Sequence, residues 1–465
     1  MKKIISLILL CFILLTSFSL LPALSADNGF DIENGVLTAY TGSASEVTVP
    51  SSVSVIGDRA FEDNADIVTV NLPSSVCSIG DRAFSGCTSL RQVKGGANVS
   101  EAGVYAFCDT PYFEDSTEEF LMLGKTLLWY NGDDPYITLP SDCLSIAPYA
   151  FLRCGTAKMI RSSSDIVSVG AGAFYECKKL TSVDLPASVT YIGAYAFEGT
   201  PFIGSLGEFP TLGDGILVAY NGSSAAVDVP DDVRRIGARA FRSSKLSSVS
   251  LPPSVYSVDP YAFADCTGLK SVDMSDGLVM IGDGAFSGCK SLEGLSTPST
   301  LSYIGQFAFN SAAIEEARLL GNGLIISDNA FKSCTRLSCA LLAKGVKAIN
   351  DNAFSGCTGL EGISIPADAS SVSSTALNGC KDAVVTCAQG SAADAALSSH
   401  EINHIIGDAD LSGELNIIDV TAIQCNIAGL MVFDGAQTTA SDYDFNGVID
   451  ILDASDVQLD LAYKE

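Results

Sequence analysis

The stretch Leu180-Thr-Ser-Val183-Asp-Leu185-Pro186, followed by Ile192-Gly193-Ala-Tyr-Ala196-Phe197, decides the fold of this chain. Its first half alternates apolar and polar residues like a β-strand, which the proline ends. The dipeptide Ala-Phe marks each copy, and copies follow one another at intervals of 22 or 23 residues, apart from two intervals of 44. The marker residues are Phe61, Phe84, Phe107, Phe151, Phe174, Phe197, Phe241, Phe263, Phe286, Phe309, Phe331, Phe354 and then Leu377. A period near 23 predicts a solenoid in which each coil buries its apolar face against its neighbours.

Inserted aromatic segments fill the two long intervals, and a related segment precedes the first copy. Their tyrosines, Tyr40, Tyr130 and Tyr220, lie 90 residues apart, which indicates a triplicated block that opens each time with a hairpin. The Asn-Gly pairs at 131–132 and 221–222 are predicted to form the tight turns. Since they interrupt the repeat and carry clustered aromatics, the hairpins are the candidate ligand contacts, namely Tyr40, Trp129, Tyr130 and Tyr220.

Cysteine occurs in most copies at the third place after the marker residue. These cysteines are Cys87, Cys154, Cys177, Cys266, Cys289, Cys334, Cys357 and Cys380. Disulfides are usual in exported chains, and bonds between neighbouring coils are one alternative. We expect instead a buried ladder of free thiols, because Cys packs as a small hydrophobe and a stack would strain disulfide geometry. Free thiols favour an anaerobic producer.

The front of the chain has the pattern of a secretory signal peptide. Lys2 and Lys3 precede an apolar run over 4–21, and small residues at 23–26 offer a cleavage site, so 1–25 is predicted to be removed on export. No other stretch is long and apolar enough to predict a membrane span. The net charge of −28 disfavours nucleic acid and anionic membranes as partners.

About the last sixty residues contain one acidic pattern twice. Asp408-x-Asp410-x-Ser412-Gly413 closes at Asp419, and Asp442-x-Asp444-x-Asn446-Gly447 closes at Asp453, so each copy is a loop of twelve residues. Oxygen ligands at alternate places with Gly sixth form the calcium-loop pattern, although both copies end in Asp rather than Glu. The predicted ligands of two Ca²⁺ ions are the side chains of Asp408, Asp410, Ser412, Asp419, Asp442, Asp444, Asn446 and Asp453, the carbonyls of Glu414 and Val448, and, through water, Asn416 and Asp450.

An amphipathic helix is predicted after each loop, whereas Gly407 and the polar run 438–441 predict no helix before either loop. Each helix would bury one apolar face. In the first helix this face is formed by Val420, Ile423, Ile427 and Leu430, and in the second by Ala454, Val457 and Leu461. Two loop–helix units that close in Asp resemble, over about 407–462, the dockerin module of cellulosomal proteins. From residue 407 onward twelve acidic residues face a single Lys464, so folding of this module should be coupled to calcium.

The dockerin resemblance implies a partner as well as a metal. Dockerins bind two Ca²⁺ ions and dock onto the cohesin modules of a scaffold protein. The residues that would contact the cohesin are Ile417, Ile418, Gln424 and Cys425, and Ile451, Leu452, Gln458 and Leu459. Because the two copies are similar, the resemblance also allows docking in two orientations.

The repeats over about 33–405 resemble the leucine-rich repeats of BspA-like and Treponema surface proteins. This implies a mainly β leucine-rich-repeat solenoid with about 13 repeats and hairpin insertions over 26–405, including a terminal cap, followed by a small α-helical dockerin over 407–465. In proteins of this type a short helix and a strand commonly close the solenoid.

One motif suggests an enzyme. His400-Glu401-Ile402-Asn403-His404 fits the H-E-x-x-H pattern of zinc peptidases, which requires both histidines on one helix. Here 391–397 is predicted to be the cap helix and the motif a short closing strand, so we interpret the match as accidental. No nucleophile elbow or phosphate-binding loop is present in the sequence.

The sequence therefore predicts a secreted, extracellular, non-catalytic protein, attached to a scaffold or cell surface of an anaerobic bacterium, whose solenoid recognises or adheres to a protein or glycan. Two alternatives stay open. The first is a cellulosomal plant-polysaccharide hydrolase, or a zinc peptidase, with an unrecognised site, and the second is a structural spacer.

Overall fold

The computed structural model describes residues 29–162, 165–409, 411–412 and 414–463, so the predicted signal peptide lies outside the described residues. The chain forms two compact units, one up to Asn131 and one from Gly132 onward. None of the helices in the described ranges combines the length and the apolar character that crossing a membrane requires.

The first unit consists of solenoid coils, each of which adds one strand to each of two sheets. Its elements are the strands β1 Phe30–Glu33, β2 Val36–Tyr40, β3 Glu46–Thr48, β4 Val55–Ile56, β5 Thr69–Leu72, β6 Ser78–Ile79, β7 Gln92–Gly95, β8 Glu101–Ala102, β9 Phe120–Leu123 and β10 Thr126–Tyr130, and the short helix α1 Pro111–Glu114. Strands β3, β5 and β7 form one parallel sheet, and β1-β2-β4-β6-β8 form the other. In this second sheet β1 and β2 pair in antiparallel orientation, and the following pairs are parallel.

The second unit repeats this construction and ends in helices. Its strands are β11 Tyr136–Thr138, β12 Ser145–Ile146, β13 Met159–Arg161, β14 Ser168–Val169, β15 Ser182–Asp184, β16 Tyr191–Ile192, β17 Thr211–Leu212, β18 Ile216–Leu217, β19 Ala226–Asp228, β20 Arg235–Ile236, β21 Ser248–Leu251, β22 Ser257–Val258, β23 Ser271–Met274, β24 Met280–Ile281, β25 Gly294–Ser296, β26 Tyr303–Ile304, β27 Glu316–Leu319, β28 Leu324–Ile326, β29 Cys339–Leu342, β30 Val346–Ile349, β31 Gly362–Ile365, β32 Ser371–Val372, β33 Val384–Cys387 and β34 Glu401–Asn403. Its helices are α2 Pro201–Gly204, α3 Ala392–Ala396, α4 Ile417–Ile427, α5 Gly435–Ser441 and α6 Ile451–Tyr463.

The longer strands of the second unit align along one side of the coils, in the sheets β11-β13-β15, β19-β21-β23 and β25-β27-β29-β31-β33-β34. The shorter strands align along another side, where the largest sheet runs β17-β18-β20-β22-β24-β26-β28-β30-β32. The hairpin strand β18 pairs in parallel with β20 and so occupies the place of a repeat strand. A hairpin therefore extends the sheet instead of interrupting it.

A column of stacked Phe rings fills the core of the coils. Phe286 lies 5.0 Å from Phe263 and 5.3 Å from Phe309 between ring centroids, with interplanar angles of 3° in both pairs. The cysteines of the predicted ladder form no disulfides, and the thiol of Cys289 donates to the carbonyl of Phe263 at 3.3 Å. The same bond recurs in the other buried members of the ladder, so free thiols bridge successive coils without covalent bonds. Cys154 departs from this pattern, since it is half-buried beside Thr156.

The predicted hairpins are present, but the predicted turns are wrong. The chain reverses at Gly124 between β9 and β10, and around Gly213 between β17 and β18. Both glycines have a positive φ, which a tight reversal needs and Gly adopts without a steric penalty. Asn131 and Asn221 instead follow the second strand, and their amide side chains donate to backbone carbonyls of the inserted segment.

The solenoid closes with a helix and a strand, as its sequence predicts. Helix α3 begins after Ser391, whose hydroxyl accepts from the Asp394 amide, and β34 pairs in parallel with β33. The middle of the H-E-x-x-H segment, Glu401–Asn403, forms this strand, and the two histidines flank it, so the segment is not a helix. His404 is held at Nδ1 by the Cys387 carbonyl at 3.1 Å and lies 3.5 Å from Asp394, so its contacts belong to the cap.

Candidate functional site

The two acidic loops are positioned by a small apolar core of their own. Helices α4 and α6 pack together through Val420, Ile423, Ala454 and Val457, all of which are buried. This confirms the helix predicted after each loop and most of its buried face. The prediction fails at the end of the first face, where Ile427, the last residue of α4, is exposed and Leu430 lies exposed beyond the helix.

A third helix, α5, precedes the second loop, so the expectation that the run 438–441 excludes a helix is wrong. Asp434 and Gln437 form a reciprocal capping box at its start. The hydroxyls of Thr438 and Ser441 donate to carbonyls four residues earlier, at 2.7 Å in both cases, which satisfies polar groups inside the helix. Burial of Thr439 and Ala440 supplies the stabilisation that helix propensity alone would not.

The second loop folds around its first and last carboxylates. Asp442 accepts from the amides of Asn446 and Gly447 at 3.0 and 3.1 Å. Asp453 accepts from Asp450 and Tyr443, each at 2.8 Å. Both carboxylates are fully buried, so the loop holds two charged groups inside the protein.

The first loop repeats these bonds at equivalent places. Asp408 accepts from the Ser412 amide at 2.9 Å, and Asp419 accepts from the Asn416 amide at 2.8 Å. The Asn416 side chain also caps α4 by accepting from Ile418, as Asp450 accepts from Leu452 in the second loop. Asp410, the ligand predicted at the third place of this loop, lies outside the described residues.

The second loop brings three carboxylate groups close together. One carboxylate oxygen from each of Asp442, Asp444 and Asp453 lies within 4.8 Å of the others. Burial, together with the Asp453 charge, raises the pKa of Asp442 to about 7, and burial raises the pKa of Asp453 to about 6. Three carboxylates held this close fit a hard cation such as Ca²⁺, which prefers oxygen ligands and would neutralise their charge.

Apolar side chains beside both loops point into solvent. The exposed fractions are 60% for Ile417, 58% for Ile418, 55% for Ile451 and 56% for Leu452. The other predicted partner residues lie nearby on the helices; Gln424, Gln458 and Leu459 are exposed and Cys425 is half-buried. Their contact with a partner stays a prediction, and the structure leaves these surfaces open to one.

The aromatic residues of the hairpins have internal partners. Tyr40 and Tyr220 pack at a tilt against the first Phe ring of the coils that follow, at centroid distances of 5.2 Å to Phe61 and 5.1 Å to Phe241. Trp129 donates to Asn131 at 2.9 Å and is half-buried. Tyr130 is buried against Phe120, 5.1 Å away. As ligand contacts these four residues stay predictions, and Tyr130 offers the least surface.

The structure adds a second candidate surface that the sequence pattern does not reveal. The residue two places before the marker Phe adopts a left-handed conformation in coil after coil, with φ from 54° to 64° at Arg59, Arg82, Tyr105, Tyr149, Tyr195, Arg239, Tyr261, Phe307, Asn329 and Asn352. A left-handed residue on the coil edge directs its side chain away from the core. The available signal in the sequence is the repeated occurrence of Tyr and Arg two places before the marker Phe.

Arg239 forms the centre of that surface in the second unit. Its guanidinium carbon lies 3.8 Å from the ring centroid of Tyr195 and 5.3 Å from that of Tyr261, within cation–π range. It lines a cleft of about 330 Å³ together with Tyr195, Glu198 and Thr200. Its buried Nε and Nη1 atoms have no hydrogen-bond partner among the described residues, and burial lowers the pKa of its guanidinium. The cleft therefore carries the positive charge of Arg239 beside the negative charge of Glu198.

Coils of 22 or 23 residues, each adding one strand to a parallel sheet and one Phe ring to a continuous column, define a β-solenoid of the leucine-rich-repeat class. The chain belongs to the BspA type leucine rich repeat family, whose model matches residues 32–117, 129–207, 219–338 and 324–424. No curated protein matches the chain significantly.

Several solved structures are similar to this chain. A leucine-rich repeat protein from Eubacterium ventriosum is 19% identical, with a TM-score of 0.36, and the match covers 74% of this chain and 88% of that one. A leucine rich cell surface protein from Faecalibacterium prausnitzii is 23% identical, with a TM-score of 0.27 and coverage of 82% and 98%. The pneumococcal vaccine antigen PcpA is 16% identical, with a TM-score of 0.33 and the same two coverages.

Proposed function

We propose that this protein is a secreted, non-catalytic recognition or adhesion protein of an anaerobic bacterium. In this proposal its solenoid binds a protein or glycan, and residues 407–465 form a dockerin. The dockerin binds two Ca²⁺ ions and attaches the protein to a cohesin-bearing scaffold in a polysaccharide-degrading assembly. Membership of the BspA type leucine rich repeat family supports the recognition role, since solenoids present long surfaces suited to macromolecular ligands.

The observation that carries the dockerin proposal is the equivalence of the two acidic loops. Each loop buries its first and last carboxylates and bonds them to amides at the same places, and each is followed by a packed helix. Two buried acids in a loop rich in further acids are costly unless a cation neutralises them. Bound calcium would supply that positive charge, held by the predicted ligands of each loop.

Exposed apolar pairs at the end of each loop support a protein partner. Ile417-Ile418 and Ile451-Leu452 occupy the last places before the closing Asp, at equivalent positions of the two loops. Apolar side chains kept in solvent beside buried ion sites are typical of an interaction surface. Since both pairs are exposed, either loop–helix unit is free to meet a cohesin.

The test is a four-residue variant in which Ile417, Ile418, Ile451 and Leu452 become Asp. We expect it to lose binding to the producer's cohesins in a pull-down while it still takes up two Ca²⁺ ions in calorimetry. A matched control exists in the same module, because the double variant Leu430→Asp and Val432→Asp changes two residues that are at least as exposed. Normal cohesin binding by the four-residue variant would show that the assignment is wrong.

For the solenoid ligand, the geometry favours the Arg239 cleft. The neighbouring Arg234 and Arg242 are bonded to Asp214 and Asp265, whereas Arg239 joins none of the ion pairs among the described residues. A carboxylate, sulfate or phosphate on a protein or glycan would pair with it while tyrosines flank the contact. The zinc-peptidase alternative lacks the geometric support of a helix, because its motif lies on β34.

A further inference from the structure

The long strands change character near the end of the solenoid. In β21 and β23 the outward positions are small or charged polar residues in contact with solvent, such as Ser250, Ser271 and Asp273. In β29 and β31 every residue is buried, including the outward residues Leu341 and Ser364. An outward face that loses its charge and its solvent contact must be covered by another part of the protein.

Helix α5 of the C-terminal module covers this face, and it lies across β29, β31 and β33. The approach is close because two glycines meet. A Cβ placed on Gly362 would overlap the carbonyl oxygen of Gly435, and one placed on Gly435 would overlap the carbonyl oxygen of Ser338. The amide of Gly435 also donates to the Glu361 carboxylate at 2.8 Å. Backbone therefore packs directly on backbone at this contact.

The second acidic loop, residues 442–453, is held against the same coils. Phe445, fourth in that loop, accepts through its carbonyl from the Lys344 amide at 3.0 Å. Gly447, sixth in the loop, lies so close to Leu320 that an added Cβ would overlap the Leu320 side chain. The turn that places the loop carboxylates is thus fixed from outside by the solenoid.

We infer that the outward face of β29, β31 and β33 is an intramolecular docking surface for α5 and the second loop, and that docking is coupled to Ca²⁺ binding in that loop. The coupling, though not the docking, rests on the proposed calcium function. Because the contacts with the solenoid fix the loop, bound Ca²⁺ stabilises the docked module, and docking strengthens Ca²⁺ binding by the same factor. The exposed apolar pairs stay outside the docked surface, so a bound scaffold would hold the solenoid at a fixed angle rather than on a loose tether.

The chain offers a matched pair of variants for the test. Gly294 occupies the same register position as Gly362, since Gly294 pairs with Glu316, Glu316 with Cys339 and Cys339 with Gly362. A Cβ on Gly294 meets nothing within 4 Å, and neither glycine has a positive φ. Gly294→Val and Gly362→Val therefore put the same strand-favouring side chain at equivalent places, and only the second one displaces α5.

The experiment measures hydrogen exchange and Ca²⁺ binding of the full chain and of both variants. In Gly362→Val we expect faster hydrogen exchange at Gly435–Ser441 and Cys339–Leu342. We also expect Ca²⁺ to bind about ten-fold more weakly at one of the two sites, a factor within the usual range of coupling between sites. Gly294→Val should match the unchanged protein in both measurements.

The outcomes separate the two proposals. Unchanged exchange in Gly362→Val would overturn the docking surface. Faster exchange with unchanged Ca²⁺ affinity would overturn the coupling. Absence of Ca²⁺ binding by the unchanged protein would overturn the proposed calcium function, while the exchange measurement would still decide whether the docking surface exists.

Discussion

Removal of calcium should open the second acidic loop at about pH 8, and acidification to about pH 5 should close it again. The reason lies in Asp442, Asp444 and Asp453, whose oxygens lie within 4.8 Å of one another. Two unit charges at that distance repel by about 3.5 kcal/mol at an effective dielectric constant of about 20, so three pairs amount to about 10 kcal/mol before screening. Asp444 is half-exposed, which lowers the sum. Several kcal/mol still remain, a large fraction of the stability of a small module.

The direction of the pH effect follows from the raised pKa values. The pKa of Asp442 is about 7 and that of Asp453 about 6 in the folded, calcium-free protein, against about 3.9 for Asp in an unfolded chain. The folded loop therefore binds more protons than the unfolded one, and its calcium-free stability is present below about pH 4 and lost as the pH rises towards 7. With calcium the trend reverses, because protons compete with the metal for the same oxygens.

The assay measures hydrogen exchange of the α6 amides. The intrinsic pH dependence of exchange is subtracted, and the solenoid strands serve as the internal reference. Calcium-free protein should exchange α6 amides faster at about pH 8 than at about pH 5, and saturating calcium should slow them at about pH 8. Asp444→Asn, which removes two of the three repulsive pairs, should reduce both responses. Equal α6 exchange with and without calcium at the higher pH would refute the reasoning.

Two further predictions concern the solenoid. Phe286→Ala should lower the free energy of unfolding by about 3–5 kcal/mol in urea titrations, since it removes a fully buried ring between two stacked neighbours. Phe286→Leu should cost clearly less because Leu377 fills this position in a later coil, and equal losses would contradict the stacking argument. Arg239→Ala should weaken binding of an acidic protein or glycan ligand about ten-fold or more, as a hydrogen bond to a charged group contributes about 1.5–3 kcal/mol. Arg234→Ala is the control, since Arg234 is already paired with Asp214. Binding is measured by calorimetry, and equal effects of the two variants would exclude the Arg239 cleft as the ligand site.

The solenoid could be predicted from the sequence because its information is local and repeated. A period of 22 or 23 residues, an Ala-Phe marker and a cysteine at a fixed place each report the same buried column many times over. The cap and the helices after the acidic loops were predictable for a similar reason, as burial follows helical spacing there.

The parts that escaped prediction depend on contacts between distant residues. Asn-Gly favours a tight turn locally, but the reversal occurs at Gly124, where the inserted strand must enter the sheet. Helix α5 is short and polar, and its stability comes from burial on β29 and β31. The outward residue Leu341, an apolar side chain where the preceding long strand has Arg318, was the available sign. Arg239 was missed because coil geometry, and not residue type, creates its left-handed position.

The docked end of the solenoid sets a rule for how such a chain can change in length. Interior coils make the same contacts with both neighbours, so whole coils can be duplicated or deleted between them with little new surface to fit. The last coils are not interchangeable in this way, because Gly362 and its neighbours are shaped for one helix. Lengthening by duplication is therefore tolerated upstream of this end, and an added coil placed after it would separate a matched pair of surfaces.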